Sequence, residues 1–155
     1  MRRELIEEEL TKAVIGAFFE VYNNLRFGFL EQLYVKALEG ELFARGHQVS
    51  REVAVPVFYK GAQLGLQRID MIIDDTLIVE AKSTLVLHPA ASRQIYNYLR
   101  ATELEVGLLL HFGPEPKFYR HVLSNKKKSW FPVPDQPVLI RSASKVVNFA
   151  ETEPT

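Results

Sequence analysis

The sequence predicts an α/β fold, a central mixed sheet flanked by helices, on three observations. Two stretches of helical periodicity open the chain, and three β-like runs follow in close succession. One further helix then separates the third run from a wholly apolar strand. The resulting order is α-α-β-β-β-α-β-β.

Leu10, Ala13, Val14, Ala17, Phe18, Val21 and Leu25 recur at helical spacing, which predicts an amphipathic helix from about Leu5 to Leu25. Asn23-Asn24 and Gly28 mark its end. A second helix is expected over about Leu30 to Arg45, with Leu33, Ala37, Leu38 and Leu42 inward and Gly46 as its stop. Val49 to Tyr59 reads as a strand, Lys60-Gly61 as a turn, and Gln63 to Ile73 as the next strand. Asp74-Asp75-Thr76 turns the chain into a third strand, Leu77 to Lys82. After Pro89, residues Ala90 to Ala101 suit a helix with proline at its start. Val106 to Phe112 has the composition of a strand buried on both faces, and Gly113-Pro114 breaks it before a last strand at Lys117 to Leu123.

At 155 residues the chain fits a single core. We divide it into a folded domain over 1–123 and a C-terminal arm over 124–155, with a short strand expected at Val138 to Ile140. The arm carries Lys126-Lys127-Lys128, a run read either as a phosphate contact or as a solvated face. The chain has no cysteine, which excludes a disulfide framework, a thiolate metal site and a cysteine nucleophile. Its start, with Glu4, Glu7, Glu8 and Glu9, is unlike a secretory leader, and no window has the length of a membrane span. The expected location is the cytosol, away from membranes. Nineteen basic residues balance nineteen acidic ones, which argues against a protein that coats nucleic acid through charge.

The chemistry is concentrated in Arg68-Ile69-Asp70 and Glu80-Ala81-Lys82. Residues two apart in a strand share a face, so Arg68 accompanies Asp70 and Glu80 accompanies Lys82. A three-residue turn at Asp74 to Thr76 sets Asp70 across from Glu80 and Arg68 across from Lys82. A two-residue turn would put the acids on opposite faces, and the absence of an Asn-Gly or Asp-Gly pair favours the longer loop. Two carboxylates with the Ala81 carbonyl suit Mg²⁺, which needs few protein oxygens. Such an ion acidifies water, and Lys82 is placed to offset phosphoryl charge. The plainer reading is two salt bridges, Asp70 with Arg68 and Glu80 with Lys82.

Asp70 with Glu80-Ala81-Lys82 resembles the signature of the PD-(D/E)XK nuclease superfamily, whose restriction-endonuclease-like core has the order α-β-β-β-α-β. Gly28-Phe29-Leu30-Glu31-Gln32-Leu33-Tyr34 resembles the motif of the GxxExxY family within it, and Gln94 with Tyr98 resembles its QxxxY element. The resemblance runs from about Leu10 to Leu123. It implies a Mg²⁺- or Mn²⁺-dependent nuclease acting on nucleic acid, DNA ahead of RNA, and it leaves room for a homodimer or a partner protein. Glu31 would join Asp70, Glu80 and the Ala81 carbonyl around the metal, with Lys82, Gln94 and Tyr98 completing the catalytic set and Arg68 on substrate phosphate.

Each assignment has a plainer counterpart. Glu31 is also a first-turn glutamate suited to a helix dipole, Tyr34 a core aromatic, Gln94 and Tyr98 packing residues, and Arg68 a neutraliser of Asp70. The family commonly carries Asn-Phe-Gly where this chain has His111-Phe112-Gly113. His111 reads as a strand-end structural residue or a donor behind the site. The competing functions are a non-catalytic nucleic-acid-binding or assembly module on the same fold, and a toxin-like or defence-associated subunit that needs a partner.

Overall fold

The structure is a computed structural model that describes residues 7–130. The strand expected at Val138 to Ile140 lies outside the described residues. Helices α1 (Glu8–Leu25) and α2 (Glu31–Ala44) precede a long hairpin of β1 (Val49–Tyr59) and β2 (Ala62–Ile73). Then come β3 (Leu77–Lys82), α3 (Ala90–Ala101), β4 (Val106–Phe112), β5 (Pro116–Val122) and a 3-10 turn at Lys127–Trp130. The strands form one mixed sheet in chain order, with β3 and β4 parallel and every other pair antiparallel. This is the mixed-sheet α/β fold that the pattern predicted, and α3 is the crossover that a parallel pair requires.

Each face of the sheet is covered. Val14, Phe18 and Val21 of α1 and Tyr34, Leu38 and Leu42 of α2 pack on Met71, Val79, Leu108 and Phe112. Ile95, Tyr98 and Leu99 of α3 pack on Ile72, Ile78 and Leu109 across the sheet. Strand β4 is buried along its whole length, as its composition required. At Gly107 a Cβ would lie 2.5 Å from Ile95 Cγ2, so glycine is what lets α3 press directly on the strand.

Helix α2 departs from expectation. Leu33 is exposed, whereas Tyr34 and Val35 are buried. The inward face is turned by about one residue because the Tyr34 ring takes the core position. It stacks on Phe112 with centroids 4.3 Å apart at 22°. An aromatic ring buries more apolar area than leucine and fixes the helix's rotation accordingly.

The β2–β3 connection is the longer loop. Ile73 pairs with Leu77, leaving Asp74, Asp75 and Thr76 between them. Asp74 and Asp75 take φ of 50° and 62°, the left-handed conformation that aspartate tolerates better than most residues. The Asp74 carboxylate accepts from the Gln48 N–H at 2.8 Å and lies 2.7 Å from His47 Nδ1, tying the turn to the start of β1.

Lys126 and Lys127 are exposed, but Lys128 is neither a phosphate contact nor solvated. It is buried, and its ammonium donates to the carbonyls of Thr102 (2.9 Å) and Leu104. The Asn125 N–H adds a bond to Glu105 Oε2 at 2.8 Å, so the first residues of the expected arm are fastened to the core. Burial lowers the Lys128 pKa from 10.5 to about 8. Between those values the unfolded chain binds more protons than the folded one, so this group's contribution to stability rises with pH across the window. Lys128→Met is expected to lose about 1–3 kcal/mol near neutral pH as two buried carbonyls lose their donor. In urea melts the wild type should then gain further on this variant between about pH 8 and about pH 10.

Candidate active site

The β2–β3 ladder ends at Met71 and Val79, one residue short of Asp70 and Glu80. Beyond that point carboxylates replace backbone pairing. Asp70 Oδ2 accepts from the Ala81 N–H at 3.0 Å, and Glu80 Oε1 lies 3.5 Å from the Asp70 N–H. The acids thus occupy the fork where the two strands separate. Lys82 Nζ stands 3.3 Å from Glu80 Oε2. Glu80 is only 3 % exposed and shares its sheet face with Ile78 and its β4 neighbour Leu109.

The electrostatics follow from burial. Desolvation, and then the Asp70 charge, push the Glu80 carboxyl from 4.5 to about 7, against the pull of Lys82. Asp70 is also raised by burial, opposed by the Ala81 N–H, Lys82 and Arg51. Two adjacent carboxylates therefore share one close ammonium and remain under-compensated. Hard oxygen donors with surplus negative charge match the chemistry of a hard divalent cation, which binds through one or two carboxylates and keeps its waters. Asp70 and Glu80 fit that role. Among the described residues, however, no three His, Cys, Asp or Glu side chains come close enough together to hold a metal ion.

Glu31 is placed nearby rather than within that pair. It opens α2, and its pKa is raised by burial, lowered by Lys82 and raised by Asp70, so it feels both. The loop before it is clamped from two sides. The Tyr34 hydroxyl donates to the Arg26 carbonyl and accepts from the Phe29 N–H at 3.2 Å. Ser83 Oγ, just past β3, donates to the Phe29 carbonyl at 2.7 Å. Gly28 takes φ of 124° within this loop, a conformation open to glycine alone at little strain. Tyr34 is therefore both core aromatic and clamp.

Tyr98 is fully buried, and its hydroxyl donates to the Arg68 carbonyl at 2.6 Å. Burial and the nearby Glu80 and Asp70 charges raise its pKa, so it stays a phenol that braces β2 two residues from Asp70. Gln94, one turn earlier on α3, lines a cleft of about 500 Å³ that Lys82 also lines. His111 Nε2 lies 2.8 Å from the Thr84 carbonyl and 3.1 Å from its hydroxyl, so it secures the segment after β3.

The Arg68–Asp70 ion pair is not formed. Arg68 is exposed, and the cations that act on Asp70 are Lys82 and Arg51. The cause lies opposite, in β1. Glu52 has φ of 51° and is skipped in the β1–β2 register, which passes from Arg51–Met71 to Val53–Ile69. Strict alternation fails there: Ile69 packs on the α3 side and Met71 on the α1 side. Arg68 is also not set against Lys82, because the β2–β3 pairing has ended before it. Arg51 and Glu52, which lower and raise the Asp70 pKa respectively, escaped the sequence reading. Counting back from Lys60-Gly61 would have reached this neighbourhood one residue off, because a bulge at Val57/Phe58 shifts the register.

A family model described as the PD-(D/E)XK nuclease superfamily matches residues 8–121. No curated protein matches the chain. Among solved structures, the crystal structure of SSO0001 is similar at 20 % identity and a TM-score of 0.45. That alignment covers 60 % of this chain and 50 % of the other, so the chain spans about half the length of that protein.

Proposed function

The chain belongs to the PD-(D/E)XK nuclease superfamily, and on that premise we propose that it is a Mg²⁺- or Mn²⁺-dependent nuclease of the GxxExxY branch, hydrolysing phosphodiester bonds in nucleic acid, DNA ahead of RNA. The observation that carries this reading is the Asp70–Glu80 pair at the strand fork, Glu80 buried and Asp70 half-buried, with the Lys82 ammonium beside it. Asp70, Glu80 and the Ala81 carbonyl are the proposed ligands, with Glu31 approaching from α2. When bound, such an ion polarises a phosphoryl oxygen and acidifies water.

The chain's own groups supply the remainder. Lys82 holds a positive charge between Glu80 and the cleft, where it orients water and offsets charge gathering on phosphorus. Gln94 lines the same cleft. Tyr98 acts as a positioning residue through the Arg68 carbonyl, and the exposed Arg68 side chain is left for a substrate phosphate. The nuclease unit is taken as 1–123, with the segment from Ser124 to Lys128 held to it through Lys128.

Incubation with labelled single-stranded, duplex and branched DNA and with RNA, each with Mg²⁺, Mn²⁺ or chelator, tests the proposal. Metal-dependent cleavage that disappears in Lys82→Ala is the expected result. Cleavage indifferent to that substitution would place the activity elsewhere. Nucleic-acid binding with neither cleavage nor calorimetric Mn²⁺ binding would favour the non-catalytic module instead.

A further inference from the structure

The cleft beside Lys82 lies between β2, the segment after β3 and the first turns of α3. Its polar lining includes Lys82, Arg93 and His88 with three primary amides, Gln67, Gln94 and Asn97, and among the described residues no carboxylate lines it. That makes it cationic and amide-rich directly beside an acidic pair. Arg93 and the three amides make no side-chain hydrogen bond or ion pair with other described residues, so these donors and acceptors are uncommitted. His88 Nδ1 accepts from the Ala90 N–H at 3.0 Å, which leaves its other ring nitrogen as the proton-bearing donor.

A band of exposed apolar side chains borders this cleft and the loop before α2. Leu85 is 71 % exposed and Val86, which lines the cleft, 80 %. Leu30 is 77 % and Phe29 46 % exposed, and the Ser83–Phe29 bond joins the two segments. Among these, the Phe29 ring offers a stacking surface to a base face and the aliphatic side chains offer apolar contact. Uncommitted amides match the Watson–Crick edges of bases, which pairing hides in a duplex but an unpaired strand displays. Duplex binding instead depends on neutralising many phosphates, and a chain with no net charge is poorly furnished for that.

We infer that the cleft holds an unpaired nucleotide next to the bond being cut, so that the substrate is a single strand or a frayed or looped segment rather than continuous duplex. Arg93 takes a flanking phosphate, Gln67, Gln94 and Asn97 meet the base edge, and Val86 lies against its face. This inference rests on the nuclease reading and gives that site its substrate class.

The test is fluorescence anisotropy with chelator present, using a labelled single-stranded deoxyoligonucleotide and the same strand annealed to its complement. The single strand should bind at least about tenfold tighter than the duplex. Arg93→Ala with Asn97→Ala should weaken single-strand binding about tenfold and duplex binding less than about twofold. Arg93→Ala alone should reduce the salt slope by about one phosphate. Val86→Ser, at an exposed position, should weaken single-strand binding with unchanged thermal stability. Equal affinity for both forms, or variants that bind like wild type, would overturn the inference, while wild-type cleavage in the activity assay would leave the nuclease reading standing. Failure to bind or cut any nucleic acid would overturn both.

Discussion

Asp70→Asn is expected to lower cleavage by about 10³-fold or more, and to make the protein more stable. The amide is nearly isosteric, and its oxygen can still accept the Ala81 N–H, so the strand fork is preserved. What disappears is one of the two charges proposed to hold a divalent cation. The repulsion that helps push Glu80 up to about 7 disappears with it. A carboxyl whose pKa is raised on folding holds its proton more tightly in the folded chain, so stability falls as pH climbs from about 4.5 to about 7 and stays lowered above. Removing the neighbouring charge should recover on the order of 1 kcal/mol of this near pH 8. Parallel cleavage assays and urea melts at that pH give both numbers. A variant that cuts at near wild-type rate would remove Asp70 from the chemistry, and one less stable than wild type would refute the repulsion.

Phe112→Ala should destabilise the fold by about 3–5 kcal/mol, a large part of the roughly 5–15 kcal/mol that a domain of this kind has. Phe112 ends β4, fully buried, with its ring edge-on to Phe18 at 4.8 Å and stacked on Tyr34. It is where α1, α2 and the sheet meet. The cavity left by alanine would also free Tyr34, whose hydroxyl clamps the loop before Glu31. Urea midpoints should fall sharply for Phe112→Ala and much less for Phe112→Leu, which fills most of the volume. A shift below about 1 kcal/mol for alanine would mean that the three rings are not mutually supporting.

The elements legible in the sequence were those with a strong local pattern. β1, β3, α3 and β4 begin and end where alternation, an unbroken apolar run or proline places them. Asp70 and Glu80 were brought near each other because the Asp74 to Thr76 loop sets the register and its chemistry can be read locally. Glu52 was not legible: nothing in its neighbours announces a left-handed residue within a strand, and its effect is to part Arg68 from Asp70. The rotation of α2 depends on Phe112, distant in sequence. The burial of Lys128 depends on carbonyls at the end of α3 that only tertiary contact supplies. Periodicity records which residues prefer the interior; it does not record which distant group waits there.

The bond from the Ala81 N–H to the Asp70 carboxylate has a bearing on how relatives are judged. An oxygen acceptor is needed at that position simply to close the end of a strand pair, whatever the protein does. Aspartate or asparagine retained there is therefore poor testimony to surviving catalysis. Among the described residues the Lys82 ammonium makes no hydrogen bond to a backbone group and its one ion pair is with Glu80, so its disappearance from a descendant would be the clearer mark of an abandoned enzyme.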